Sequence, residues 1–260
     1  MPADPQPANP KNAPPERTTR QKVVREILSW VWLILALFFV ESAMAQSRLI
    51  PSGSMEKTIL IGDHMVVSPF GYSLCVPYTE LHVPLWRNPK RQQIIILVSP
   101  LNGTEDLIKR VIGVPGDKIQ IHQGIVYVNG KQLNEPYVLR DPADMASSLE
   151  NFPSSKDGVY EGLTPNWAAE LSQYVHDGSL VVPANDYFVM GDNRGDSYDS
   201  RYWGFVPRRN IIATPLFIFM SIRAPEGVWQ PGHIAERMET YLSVFIHPGE
   251  VRWNRIFHGF

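Results

Sequence analysis

An apolar run near the N-terminus limits what this chain can be more than any other feature. It extends from Ile27 to Val40 and, more weakly, through Glu41 to Ala45, 19 residues in all. About 20 such residues cross a hydrocarbon core of about 30 Å. Arg17, Arg20, Lys22 and Arg25 precede it, and few basic residues follow closely. That asymmetry predicts one transmembrane helix over 27–45, with the N-terminus in the cytosol and everything from residue 46 outside. Trp30, Trp32, Phe38 and Phe39 add hydrophobicity, and Glu41 and Ser42 are expected in the far interface. The same letters carry a second reading. A basic region, an apolar core and Ala43-Met44-Ala45 also form a cleavable secretory signal with an A-x-A site. Retention is preferred here, because the motif just downstream suits work beside a membrane. Residues 1–26 are predicted to be a disordered cytosolic tail, since six of the first 15 residues are proline.

Beyond the span the chain reads as mainly β. Short β-branched or aromatic runs are broken by turn residues at His64–Val67, Ile94–Val98, Leu107–Ile112, Lys118–His122, Ile125–Val128 and Tyr187–Met190. Asn129-Gly130 between two such runs predicts a type I′ hairpin. Ile211–Ile222 is apolar but holds only 12 residues with Pro215 inside, which predicts a buried strand pair rather than a second span. Residues 46–232 are thus expected to form one extracytoplasmic β-rich domain. An insertion at about 141–180 contains a helix over Pro165–His176, capped by Thr164. In 233–260, Ile234, Met238, Tyr241, Leu242 and Phe245 recur at helical spacing, predicting a C-terminal amphipathic helix packed on its own domain, followed by a tail. The tail's mixture of aromatic and basic residues from Val251 to Phe257 would also suit a lipid interface.

Composition removes several functions. The net charge of −2 supplies no basic field for nucleic acid. The single cysteine, Cys75, excludes an internal disulfide and a thiolate zinc cluster. No ligand cluster suggests a metal or an organic cofactor, so none is expected.

Candidate chemistry starts at Ile50-Pro51-Ser52-Gly53-Ser54-Met55, a turn soon after the span. A serine there needs a base to become a nucleophile. The seven histidines form no motif with an acidic partner, and His64 reads as a surface or packed residue. Lysine can serve if burial lowers its pKa. Lys57 gives a literal Ser-x-x-Lys with Ser54, but the Ser-Asp-Asn and Lys-Thr-Gly elements that accompany that motif in penicillin-recognising enzymes are missing. Lys109 lies in a β-like run, where alternation puts it on one face with Leu107 and Val111. That placement suits desolvation, and equally suits an edge-strand lysine that discourages aggregation.

Four ordered blocks then resemble bacterial type I signal peptidase, the membrane-anchored leader peptidase. They are Pro51-Ser52-Gly53-Ser54-Met55, Gly62-Asp63, the segment from Lys109 to Asp117, and the 14 residues from Gly191 to Gly204. The resemblance implies a signal-peptidase-like β-strand catalytic body behind one transmembrane helix. It implies Ser54 as nucleophile, Lys109 as general base, and an oxyanion hole from the Ser54 N–H and the Ser52 hydroxyl. Ser197 matches a serine that bonds and orients the lysine, and Asp199 with Arg201 matches a supporting ion pair. Substrate is expected to lie extended along strand edges near Ile50 and Ile108, with Ile50, Pro51, Met55, Ile59 and Ile108 around small apolar pockets. The chain departs from the family at Lys57, where proline is usual, and at Gln92-Gln93, where a Gly-Asp turn is usual.

The resemblance implies a membrane-bound serine endopeptidase that removes N-terminal signal peptides from exported preproteins. Its partners would be signal peptides, membrane lipid and the protein-export machinery, with no nucleic acid. Its place would be the bacterial inner membrane, with the catalytic domain on the outer face. Two other readings fit the same letters: a Ser-Lys peptidase with one dedicated substrate, and an anchored non-enzymatic β-domain that binds exported chains.

Overall fold

The structure is a computed structural model and describes residues 18–75, 79, 81–139, 148–153, 160–225, 227–230 and 232–260. The expected tail up to residue 17 and parts of the expected insertion (141–147 and 154–159) lie outside the described residues. Helix α1 (Thr19–Ala43, 25 residues) is long and apolar enough to cross a membrane. It starts well before Ile27 because Arg20, Lys22 and Arg25 are themselves good helix formers.

A second unit, Glu41–Phe260, has three sheets among the described residues, two large and one of two strands. Its first strands are β1 (Gln46–Leu49), β2 (Asp63–Ser68), β3 (Ser73–Cys75), β4 (His82–Pro84), β5 (Ile94–Val98) and β6 (Asp106–Gly113). Then come β7 (Lys118–His122), β8 (Ile125–Val128), β9 (Lys131–Gln132), β10 (Val175–His176) and β11 (Ser179–Val181). The last are β12 (Asp186–Met190), β13 (Val206–Pro207) and β14 (Ile211–Ser221). Three helices join them: α2 (Pro165–Tyr174), α3 (Ser200–Trp203) and α4 (Ile234–Ile246).

The larger sheet runs β1-β2-β14-β5-β6-β12-β13, and its paired neighbours are antiparallel. It curls, so that Arg48 on β1 reaches Asp106 on β6 in an ion pair of 3.1 Å. The curl is set by β14. The expected strand pair over Ile211–Ile222 is instead one 11-residue strand, pairing with β5 at its start and with β2 along the remainder. Three register shifts, one directly after Pro215, bend it from one partner to the other. A proline cannot donate to a ladder, and a bulge is where a strand tolerates that.

The smaller sheet runs β10-β11-β7-β8-β9. Its β8–β9 hairpin turns at Asn129 (φ 54°) and Gly130 (φ 75°), both left-handed as the type I′ turn demands. Helix α2 begins where expected, its Thr164 hydroxyl accepting from Trp167 N–H, and buries Trp167 and Leu171 in the core under this sheet.

Helix α4 forms, but it does not pack as expected. Tyr241 meets the body, while Ile234, Met238, Leu242 and Phe245 stay exposed. The tail is tied down by its arginines. Arg255 pairs with buried Asp63 (2.6 Å) and donates to Thr58 O (2.9 Å), and Arg252 donates to Ile61 O (2.9 Å).

Gly62 closes the connection from the Ser54 turn into β2. Its N–H donates to Ile50 O (3.1 Å), its φ is +83°, and a Cβ there would lie 2.2 Å from Ile222 O. Gly62→Ala therefore forces backbone apart in a conformation that disfavours side chains. It is expected to cost about 2 kcal/mol or more, a fall of roughly 5 °C in the unfolding midpoint of detergent-solubilised protein. An unchanged midpoint would show that the Ile222 strand yields freely.

Candidate active site

Ser54 stands in an irregular turn between β1 and β2. The turn is held from below, because Met55 and Ile59 are buried in the cluster around Ile50, Ile94 and Ile96. Its own backbone closes it, Glu56 N–H donating to Gly53 O and Ile59 N–H to Met55 O, both at 2.9 Å. It is gripped from the side by the segment after β12. Asn193 donates its N–H to Ser54 O (3.1 Å) and its side-chain amide to Gly53 O (3.2 Å). Thr58 donates its hydroxyl to Asp192 (2.6 Å).

Lys109 on β6 reaches across so that its Nζ lies 2.7 Å from Ser54 Oγ. It is 3% exposed, and that number decides its chemistry. An ammonium removed from water is disfavoured against the neutral amine. Burial, helped by Arg201, lowers the Lys109 pKa to about 8 against the opposing pull of Asp199, Asp196 and Asp192.

Behind this pair lies a saturated ionic knot. Burial on its own would raise the Asp199 carboxyl. Arg201, the Gly191 N–H and Lys109 outweigh it and hold the group below the usual carboxylate range. Arg201 donates twice to Asp199, through Nε (2.9 Å) and Nη2 (3.0 Å), and also to Arg194 O (2.7 Å). Ser197, expected to bond the lysine itself, instead donates its hydroxyl to Asp199 Oδ2 (2.8 Å). That carboxylate oxygen is the stronger acceptor available to a buried hydroxyl.

In front of the pair is a cleft of about 500 Å³. Ser52, Ser54 and Lys109 line it, together with Ile50, Pro51, Met55, Ile59 and Ile108, so every expected wall residue faces one space. Ile50, Met55 and Ile59 are buried, Ile108 is half-buried, and Pro51 and Ser52 are exposed. Two strand edges flank the cleft. Among the described residues, strand β1 is paired only with β2. Strand β6 is paired with β5 from Asp106 onward, whereas its pairing with β12 begins at Arg110. Among the described residues, no strand pairs with the other side of its Asp106–Lys109 edge.

Several residues of the site carried no signal of their own in the sequence. Arg110, next to Lys109, forms a two-pronged pair with buried Asp192 (2.7 and 2.6 Å). Glu135 pairs with Arg194, and Leu139 N–H donates to Asp192 O (2.8 Å), tying the 133–139 loop to the same segment. Lys57 is not on Ser54. Its ammonium donates to Pro136 O (2.6 Å) and Val138 O (3.1 Å) of that loop. His64 is buried, its ring nitrogens engaged by Gly62 O and the Tyr241 hydroxyl. Among the described residues, no group of His, Cys, Asp and Glu could hold a metal ion.

A curled β-body with a buried amine on a serine hydroxyl, beside an open cleft, has the parts of a serine hydrolase. The comparisons place it further. Residues 23–220 match the family described as signal peptidase, peptidase S26. The probable signal peptidase I-2 of Synechocystis is 32% identical over 217 residues, covering 82% of this chain and 78% of that protein. Signal peptidase I of Pseudomonas aeruginosa is 33% identical over 210 residues, covering 76% and 70%. Signal peptidase I of Buchnera aphidicola is 28% identical over 254 residues, covering 82% and 81%. The chain belongs to the signal peptidase S26 family and is a membrane-anchored serine endopeptidase.

Gly191 shows how closely the knot and the turn are packed. A Cβ at this position would lie 2.3 Å from both Ser197 Oγ and Ser54 O. Gly191→Ala must push Ser54 and Ser197 apart, and a displacement of about 1 Å at a reacting group costs on the order of 100-fold. The expected result is a kcat lowered about 100-fold in a protein whose circular dichroism is unchanged. Wild-type turnover by the variant would mean that the turn shifts without consequence.

Proposed function

We propose that this chain removes N-terminal signal peptides from exported preproteins, using Ser54 as nucleophile and Lys109 as its base. The observation that carries this reading is the 2.7 Å contact between a desolvated Lys109 Nζ and Ser54 Oγ. Neutral Lys109 takes the Ser54 proton as Oγ attacks the scissile carbonyl. The resulting ammonium gives that proton to the leaving amine, and an acyl-enzyme remains on Ser54. Water activated by Lys109 then hydrolyses it. Asp199 stabilises the ammonium while it exists, and the Arg201 clamp keeps that carboxylate from holding Lys109 charged at rest.

The developing oxyanion is stabilised by the Ser54 N–H and the Ser52 hydroxyl. Both are free of other partners among the described residues. Such a donor contributes about 3–4 kcal/mol to the transition state. Ser197 and Asp199 act behind the lysine, and Arg201 orients Asp199.

The substrate lies in the cleft as an added strand between the β1 edge and the free Asp106–Lys109 edge of β6, with main-chain bonds supplying affinity. Alternate side chains then point into the apolar space near Ile50, Met55, Ile59 and Ile108, which suits small residues at the first and third positions before the cut. The span stays attached after Ala45. The N-terminus is cytosolic and the catalytic body lies on the outer face of the inner membrane, where preproteins arrive from the export machinery. No cofactor takes part.

A preprotein bearing an A-x-A site, incubated with the detergent-purified enzyme, tests the assignment. Ser54→Ala and Lys109→Ala are each expected to lower kcat at least a thousandfold while remaining folded. Normal cleavage by Lys109→Ala would remove lysine from the mechanism. Ser52→Ala should lower kcat about 100-fold with KM nearly unchanged.

The pH dependence has a definite sign. The base works only as the neutral amine, so kcat/KM should rise about tenfold per pH unit below about 8 and level off above it. An acid limb centred near pH 6 or lower would point to a histidine or carboxylate base instead.

A further inference from the structure

Helix α4 lies outside the residues 23–220 matched by the family, and only one of its sides is packed. On the inner side, the Tyr241 hydroxyl is 2.7 Å from His64 Nε2 and its ring lies against Trp229. Val244 packs against the same small cluster of Ile222, Val228 and Trp229. On the outer side, Ile234, Met238, Leu242, Phe245 and Ile246 are 69, 54, 61, 86 and 76% exposed. They recur at spacings of four, four and three residues, so they share one face of the helix. Of the charged residues of the helix, Glu236 and Arg237 fall off that face, and Glu239 borders it beside Leu242. Scattered exposed apolar residues are ordinary on a protein surface, but five on one helix face mark a contact surface.

We infer that α4 is an interfacial helix whose outer face rests among lipid headgroups and the first acyl carbons of a bilayer. The choice of lipid over a second copy of the chain rests on three observations. The first is the tether. On the reading above the span stays attached and holds the chain at a bilayer, so seating a surface helix carries little further cost in translational freedom.

The second is area. Thirteen residues span about 20 Å, and one helix width makes the face roughly 200 Å². A specific protein interface buries about 800 Å² on each partner. The third is composition. The tail after the helix adds exposed Trp253 and Phe257, while Arg252 and Arg255 are turned inward to Asp63, Ile61 O and Thr58 O. Bulky aliphatic side chains with flanking aromatics, bordered by one acidic residue, suit the headgroup boundary.

The seat of α4 connects to the cleft through the segment before it. Arg237 donates to Gln230 O (2.8 Å), and the Gln230 side chain donates to Pro51 O (3.0 Å) at the cleft wall. Docking of α4 therefore steadies the wall that precedes Ser52. This consequence, unlike the docking itself, rests on the catalytic reading above.

The test uses the full chain in vesicles of phosphatidylcholine and phosphatidylglycerol that carry a lipid with a shallow spin label. A single environment-sensitive fluorophore is attached at Leu242→Cys or at Glu236→Cys, both exposed, while the native Cys75 is buried. At position 242 emission should shift to the blue and be quenched severalfold more than at 236. Equal quenching at the two positions overturns the proposal. So does cross-linking between two copies through position 242, which would make a second chain the occupant. In a separate arm, Leu242→Glu with Phe245→Glu should cut a preprotein in vesicles at least fivefold more slowly, yet cut a short soluble peptide in detergent normally. Equal rates on the vesicle substrate would sever docking from cleavage. Loss of both activities would implicate the cleft itself.

Discussion

The structure around the cleft depends on one electrostatic constraint, an amine on Lys109 whose charged form is disfavoured by burial. Burial supplies the driving force, since a desolvated ammonium is disfavoured. Burial alone would be incomplete, because Asp199, Asp196 and Asp192 all pull Lys109 back toward the charged form. The structure answers by committing two of those carboxylates to arginines. Arg201 holds Asp199 by two donors, and Arg110 holds Asp192 by two more. A carboxylate shared with a guanidinium exerts a weaker net field on a third group. The buried pairs are therefore best understood as devices that set the local potential, which fits the general finding that such pairs add little to net stability.

The topology gives that lysine its address. Strand β6 is central from Arg110 onward, bonded on both sides, and has one open edge from Asp106 to Lys109. Lys109 is thus the last residue before the second ladder begins. Its backbone belongs to the open edge, while its side chain is enclosed by what surrounds the closed part. One position combines a desolvated amine with a backbone at an open strand edge. Moving Lys109 two residues in either direction would keep its face and lose one of these properties.

Much of this was legible in the chain, for identifiable reasons. The span announced itself through length and charge asymmetry. The β-runs, the Asn129-Gly130 turn and the Thr164 cap follow local chemistry that tertiary structure did not override. Ser54 and Lys109 were legible only through four blocks in a fixed order, because a serine in a turn and a lysine in a strand are common. What could not be read was which neighbour each polar group would choose. Ser197 turned to Asp199, Lys57 turned to the carbonyls of Pro136 and Val138, and Arg110 found Asp192, 82 residues away. Periodicity likewise grouped Ile234, Met238, Tyr241, Leu242 and Phe245 on α4, but could not say that only Tyr241 would face inward. Pro215 suggested a break where the chain uses a bulge, since a lost donor can be absorbed by a register shift as well as by a turn.

These neighbour choices separate two tasks that a single core would confuse. The sheets and their apolar clusters hold Lys109, a strand residue that cannot move without the ladder. The Ser54 turn has no ladder of its own. It is positioned by Met55 and Ile59 beneath, by Asn193 and Asp192 at the side, and by Lys57 reaching the 133–139 loop. That loop is joined in turn to Asp192 and Arg194, so the three segments form a closed ring of polar contacts around the nucleophile. A ring of this kind fixes a hydroxyl within hydrogen-bond reach of a rigid amine while the cleft in front stays open to an extended chain. The cleft is then flanked by two strand edges, and the division is physical: open space in front, and the precision of a well-supported site behind it.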